Sequence, residues 1–426
     1  MGISNIIFVV LLLVAGGLFA VNVNKIISNI RLGRDTDRSD SSAERWKTMI
    51  RVALGQSKMT SRPIAGILHI IIYVGFVIIN LEMLEIVIDG IAGSHRVFAP
   101  LLGDAYPIFI NIFELLAVGV LLACVAFLAR RNIMRIPRFH KPEMKNWPTS
   151  DANIILIVEI LLMGAFLTMN AADAKAGMDF MFSSMIKGIL PTDSESLYMI
   201  ERSCWWFHIV GVFAFLNYLP YSKHFHILLA FPATYYSNLQ PKGKFTNMEA
   251  VTNEVKLMFD PEADPYAAPP EPDPNAEPIR FGAKEVNDLT WKNLMDSYSC
   301  TECGRCTSEC PANQTGKLLS PRKIMMDTRD RLEEFGKNNG KDDGKSLLHD
   351  YITTEELRAC TTCNACTEAC PINLDPLSII MEMRRYLIME ESSAPQEWNG
   401  MSTNIENNGA PWQFAQADRL NWANEE

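Results

Sequence analysis

The sequence predicts an all-α protein in two parts: a five-helix transmembrane bundle, then a smaller helical module organised around cysteines. Three features point there. The first half holds five apolar stretches long enough to cross a bilayer, separated by polar loops. Eight of the ten cysteines fall in two matching runs in the second half. No alternation of apolar and polar residues around those runs asks for a strand. At 426 residues the chain has room for two or three domains, and its net charge of −10 argues against a nucleic-acid-binding surface. Met1-Gly-Ile-Ser-Asn places no basic segment ahead of the first apolar run, so no signal peptide is expected.

The apolar stretches run roughly from Ile6 to Ile27, Ile64 to Ile88, Tyr106 to Leu128, Ile154 to Ala172 and Met199 to Leu219. Their loops differ sharply in charge. The first carries Lys25, Arg31, Arg34, Arg38, Arg45, Lys47, Arg51, Lys58 and Arg62, and the third carries Arg130, Arg131, Arg135, Arg138, Lys141 and Lys145. The other two hold only Arg96, and Lys175 with Lys187. Basic loops stay on the cytoplasmic side, so the N-terminus is expected outside and the C-terminus inside, in the inner (cytoplasmic) membrane. Trp205, Trp206 and Phe207 then fall near the outer interface, as an aromatic belt. The cysteine runs lie in the cytoplasm, where thiols stay reduced.

Four histidines bear on function. His69 lies early in the second span, and His208, His224 and His226 lie in and just beyond the fifth. On a continuous helix, His208 and His226 would share one face five turns apart, while His224 would be rotated about 200° from His226. His69 and His226 come out at matching depth on the cytoplasmic side, and two neutral imidazoles from separate helices suit a six-coordinate b-type haem. Arg62 and Lys223 project on the same sides as these histidines, either to meet haem propionates or simply as interfacial positive charge. A second haem would need a partner for His208 near Ile79 or Asn80, neither of them a ligand, with Met83 a remote alternative. One haem is therefore expected, with His208 a candidate for quinone or proton handling. Glu82, Glu85 and Glu114 lie toward the same outer half, and intramembrane carboxylates are functional candidates by default. Cys124 and Cys204 read as small buried residues.

Residues 1–240 thus form the expected membrane domain, and 241–280 an acidic, proline-rich linker. The run from Pro261 to Pro274 cannot be helical and reads as an extended spacer. The cysteine module should span 281–390. Its first run is Cys300-Thr-Glu-Cys303-Gly-Arg-Cys306-Thr-Ser-Glu-Cys310-Pro311, and its second Cys360-Thr-Thr-Cys363-Asn-Ala-Cys366-Thr-Glu-Ala-Cys370-Pro371. Zinc knuckles have no role for a third evenly spaced cysteine and a Cys-Pro, and a disulfide scaffold needs an oxidising compartment. The C-x2-C-x2-C-x3-C-P spacing is that of bacterial two-cluster ferredoxins, in which the fourth cysteine serves the other cluster. Cys300, Cys303, Cys306 and Cys370 are then the ligands of one [4Fe–4S] cluster, and Cys360, Cys363, Cys366 and Cys310 of the other. Ser320 and Asp375 are good helix N-caps, each followed by proline at the first helical position, and Thr353 with Glu356 forms a capping box. The module reads as a helical ferredoxin. The tail, 391–426, carries Trp398, Trp412 and Trp422 and either wraps its own domain or docks a partner.

With these residues in view, the membrane half resembles the gamma subunit of respiratory nitrate reductase. Pro220-Tyr-Ser-Lys-His-Phe-His226 followed by Ala230-Phe-Pro232 is similar to the segment carrying that family's cytoplasm-side haem ligand. His69 and His208 match two further family ligands, but the fourth falls at Ile79, which leaves a second haem open. From about Phe281 the chain resembles the small two-cluster subunit of heterodisulfide reductase. Related enzymes continue into a cysteine-rich catalytic domain with CCG motifs, so the resemblance implies a separate cytoplasmic catalytic subunit, a flavoprotein donor, or both. It also implies menaquinone as the membrane substrate. The chain is expected to pass electrons between a cytoplasmic redox partner and the quinone pool through two [4Fe–4S] clusters and haem b. Direct flavin or NAD chemistry is not expected, because no glycine-rich nucleotide loop follows a strand. The rival is a membrane-anchored redox sensor or scaffold without quinone turnover.

Overall fold

The computed structural model describes residues 2–175, 180–262 and 280–424. Among the described residues every regular element is a helix, and the β-bridges Arg34–Thr290 and Leu348–Ile352 are isolated. The all-α expectation holds. Helices α1 (Ile3–Ile30), α3 (Pro63–Ala92), α4 (Tyr106–Asn132), α5 (Trp147–Lys175) and α6 (Ser194–Tyr218) each contain a stretch long and apolar enough to cross a membrane. Their outward faces expose Ile3, Leu13, Leu81, Ile108, Leu122 and Leu161. So much apolar surface is stable only against lipid, and the chain is a membrane protein.

The bundle core is knit by Phe8, Ile110, Phe113, Phe166 and Ile209, all nearly inaccessible. Glycine lets the helices close: a Cβ at Gly90 of α3 would lie 2.6 Å from the Phe8 ring of α1. Trp205 turns inward here and packs 5.7 Å from Phe8, with Arg202 over its ring. This corrects the aromatic-belt assignment for Trp205, since only Phe207 of the trio is exposed.

The fifth span does not run on to His226. Helix α6 ends at Tyr218, Ser222 is extended, and two 3₁₀ turns flank it before α7 (His226–Tyr235) begins. Pro220 accounts for part of this break, because it cannot donate a backbone hydrogen bond. The shared helix face assumed for His208 and His226 is therefore absent. Helix α2 (Ser42–Met49), in the first basic loop, packs on α7 through Trp46 and Tyr235 at 5.3 Å. Its buried Arg45 donates to the carbonyls of Tyr235 and Ser237.

Between the two halves, α8 (Glu249–Phe259) makes the first part of the expected linker helical. Most of the Pro261–Pro274 run lies outside the described residues. The module is built from α9 (Trp291–Ser299), α10 (Arg305–Glu309), α11 (Pro321–Lys337), α12 (Thr354–Arg358), α13 (Ala365–Ala369) and α14 (Pro376–Met389). Ser320 and Asp375 accept from the amides of Lys323 and Ser378, and Thr353 with Glu356 closes its capping box. Thr290 and Asn293 form another box that opens α9. In the tail, α15 (Gln396–Asn408) leaves Trp398 half exposed beneath Arg358.

The module is not held away on a spacer. Ile26, Leu219, Phe225 and Ala233 from the bundle end share one buried cluster with Leu294, Ile324, Leu332 and Ile380 of the module. Polar contacts fasten the seam: Asn29 donates to the Tyr298 hydroxyl at 2.9 Å, and Arg34 exchanges backbone hydrogen bonds with Leu289 and Trp291. The end of the bundle that the module covers is the one bearing Arg34, Arg62 and Arg138 of the basic loops and Lys223 beyond the fifth span.

Candidate cluster and histidine sites

Each cysteine run takes the same path. In the first, Glu302 and Gly304 adopt positive φ; in the second, Thr362 and Asn364 do so at the same offsets. These left-handed residues curl the chain so that successive cysteines turn toward a common centre. A five-residue helix follows in each, α10 or α13, and Cys310 and Cys370 cap them in extended conformation ahead of proline. Cys300, Cys303, Cys306 and Cys370 line a single cavity, with Cys366 at its wall and Met325, Ile372 and Leu374 giving it an apolar lining. Cys310 and Cys363 lie within electrostatic reach of Cys360, as Cys360 does of Cys366. The two groups therefore exchange their last cysteines in space, and Cys366 stands between them.

The chemistry of these thiols suits a polynuclear centre. All ten cysteines are free. A cubane takes one thiolate per iron and needs its cysteines spread around a cavity. Burial pushes the Cys300 and Cys370 thiols up to about 12, so the bare pocket rejects thiolate charge and iron would supply the compensation. The amide of Leu374 points at the Cys370 sulfur at 3.3 Å and that of Thr362 at the Cys360 sulfur at 3.4 Å, contacts of the kind that tune a cluster's potential.

His69 and His226 face each other with ring centres 6.4 Å apart, tilted by 44°. Two imidazoles bound from opposite sides to one iron place their ring centres roughly 6 Å apart, from metal–nitrogen bonds of about 2 Å plus the ring on either side. The His226 Nδ1 lies 3.0 Å from the Lys223 carbonyl, which fixes the tautomer and leaves Nε2 free. By this spacing, His69 and His226 would be the residues to hold a haem. His224, expected to face elsewhere, instead lies 5.5 Å from His226, and its buried Nε2 has no partner. The break after α6 brings it back. His208 sits apart, its Nδ1 3.0 Å from the Leu162 carbonyl and its ring against Phe166.

Arg62 and Lys223 both reach across the seam. Arg62 pairs with Glu309 at 3.0 Å, and the buried Lys223 pairs with Glu302 and donates to the Pro148 carbonyl. Their charged ends already meet carboxylates and a carbonyl, so the structure shows them as fasteners between module and bundle. Arg305 was not singled out in the sequence. It sits inside the first cysteine run and donates to the Lys58 carbonyl at 2.9 Å and the Ser61 hydroxyl at 3.2 Å, just ahead of the helix that carries His69. Only its place between Cys303 and Cys306 could have drawn notice.

Comparison with known proteins follows the same division. Residues 299–374 match the family described as the 4Fe-4S dicluster domain. The chain is an iron–sulfur membrane protein with a redox role. It is 26% identical to the probable iron-sulfur-binding oxidoreductase FadF of Bacillus subtilis, over 99% of this chain and 61% of that one. It is 28% identical to the EtfAB:quinone oxidoreductase of Syntrophomonas wolfei, over 91% of this chain and 55% of that one. The cluster region is 35% identical to a subunit of the ferredoxin/F(420)H(2)-dependent CoB-CoM heterodisulfide reductase of Methanosarcina acetivorans, over 27% of this chain and 60% of that protein. The chain thus spans only 55–61% of the length of these relatives. No solved structure matches it.

Proposed function

We propose that this chain is a membrane electron-transfer subunit linking a cytoplasmic redox partner to the menaquinone pool. Cys300, Cys303, Cys306 and Cys370 would hold one [4Fe–4S] cluster, Cys360, Cys363, Cys366 and Cys310 the second, and His69 with His226 one haem b. Bound there, these groups supply reversible one-electron transfer, while the protein sets their positions and potentials. The observation that carries the proposal is the seam. The cavity lined by Cys300, Cys303, Cys306 and Cys370 and the His69–His226 pair stand on opposite sides of one fastening, in which Arg305 grips the 58–61 backbone. A module docked in this way shields the ground between the two sites from water.

In this proposal the module end faces the cytoplasm, residues 1–240 form the membrane domain, 281–390 the cluster domain, and 391–426 a docking segment for the partner. That partner is an electron-transferring flavoprotein or a CCG-type cysteine-rich subunit. The name of the Syntrophomonas relative, which couples EtfAB to quinone, favours the flavoprotein. Likeness of the membrane half to nitrate reductase gamma subunits supports the haem assignment through His69 and His226. His208 then remains for quinone or protons.

The test is rapid mixing of reduced protein with a menaquinone analogue, followed at haem and cluster wavelengths. Wild-type protein should show one bis-histidine haem b per chain. His226→Ala should lose that haem and at least tenfold in the rate of cluster reoxidation, whereas His208→Ala should keep its haem. Equal reoxidation rates in wild type and His226→Ala would favour the sensor alternative.

A further inference from the structure

The outer half of the bundle buries more charge than any helix contact needs. Glu82, Glu85 and Asp89 fall at i, i+3 and i+7 on α3, so one face carries a ladder of carboxylates toward the end away from the module. The upper rungs are matched. Asp89 accepts from the Ser94 hydroxyl at 2.6 Å and the Arg96 amide at 2.7 Å. Glu85 accepts from the Tyr106 hydroxyl at 3.0 Å and the Phe98 amide at 2.9 Å. The Arg96 guanidinium joins these rungs, donating to Tyr106 at 3.2 Å while its charge is met by Asp173 at 2.7 Å. Glu114, on α4, accepts from Asn170 and from the amides of Phe182 and Ser183.

The lowest rung is different. Glu82 is 2% exposed and its Oε2 has no partner. Two more orphans accompany it: the Arg96 Nε, in a residue 7% exposed, and the Ser183 hydroxyl, in a residue with no exposure. Buried polar atoms without protein partners are normally satisfied by ordered water, and water needs polar neighbours of this kind. Arg96 donates to Tyr106, Asn170 and Asp173 instead, and among the described residues no cation forms an ion pair with Glu82. A carboxylate so placed is stable only if it is hydrated or carries a proton.

We propose that the outer half of the bundle encloses a hydrated proton-exchange site, in which Glu82 holds the proton and Glu85, Tyr106 and Asp89 connect it to the surface at Ser94. The site is separated from the cysteines and from His69 and His226, and the proposal does not depend on the electron path. A protonated carboxyl in an apolar bilayer adds across dicyclohexylcarbodiimide: its proton goes to a carbodiimide nitrogen and its oxygen bonds to the central carbon. Rearrangement gives a stable N-acylurea with no atoms lost. Full-length chain in lipid nanodiscs, treated with this reagent at neutral pH and mapped by mass spectrometry, should be labelled at Glu82 at least tenfold more than at Glu85 or Asp89. Infrared spectra of the same sample should show a protonated-carboxyl band that is absent in Glu82→Gln and shifts promptly on transfer to heavy water. No label at Glu82, or a band that fails to exchange, overturns the proposal. Labelling is located in the wild-type chain, so the outcome stands even if Glu82→Gln fails to fold.

Discussion

Cys370 shares a cavity with three cysteines of the other run, and this makes its removal diagnostic. Cys370→Ser should disturb the cluster built on Cys300, Cys303 and Cys306, seen as a changed or three-iron EPR signal after reduction, with the Cys360 group intact. If only the Cys360 group changes, the ligand exchange is wrong. At this scale the sequence was most legible, because spacing within a run is local: left-handed residues at fixed offsets decide where each sulfur points. His69 and His226 do meet, but not for the reason the sequence suggested: His226 opens a new helix beyond the break and is not placed by depth along the fifth span. His224 was not legible. Its place beside His226 comes from a backbone break, and the helical period that would have sent it elsewhere stops at Tyr218. Glu302 and Arg305 were invisible for another reason: their partners lie far away in the chain, where no local pattern can point.

Among the elements, the loop after α4 shows how the two halves are fastened. Glu143 pairs with Arg322 at the start of α11 at 2.7 Å, and the Arg322 side chain is fully buried. Breaking such a pair leaves a buried charge uncompensated and typically costs about 3 kcal/mol or more. Glu143→Ala should therefore destabilise the module by that order, visible as faster hydrogen exchange in the first turns of α11. Unchanged exchange would mean that Arg322 is satisfied by the carbonyls of Arg138 and Glu302 without Glu143. Burial pushes the Glu143 carboxyl up, but the hydrogen bond and charge of Arg322 outweigh it and hold it below its ordinary 4.5. A lowered native value means that the stabilisation is present at neutral pH and is lost as pH falls below about 4.5. The five spans were legible from length and apolarity alone, whereas the break between α6 and α7 was signalled only by Pro220. Helix α8, inside a stretch read as linker, shows that the acidic and proline-rich composition begins later than the boundary at residue 241 suggested.

For the whole molecule, the expected orientation sets the module and all the basic loops on one side of the membrane. A reporter active only in the cytoplasm should work when fused after Arg34 or Lys141 and be silent after Gly93 or Pro191. Activity at Gly93 would invert the topology. The architecture itself was readable as two parts, but not the way they meet. A proline-rich connection suggested separation, yet apolar residues at the ends of α1 and α6 had no visible reason to stop short of the module. Burial of apolar area is non-directional, and nothing in a periodic pattern says which surface will cover it.

That shared core bears on how the protein is made. Leu294, Ile324 and Leu332 of the module are covered in part by Ile26, Leu219 and Phe225, which reach their places only when the spans are inserted. A ribosome finishes the spans first, so the late-emerging cysteine module meets a floor already laid. Residues 281–390 expressed alone should bind an exposed-hydrophobic dye and take up iron and sulfide poorly, while the same residues behind the bundle load fully. Equal loading of the excised module would show that the floor is dispensable. Otherwise insertion becomes a checkpoint: a chain that misses the membrane leaves its cysteines unable to mature into iron–sulfur centres.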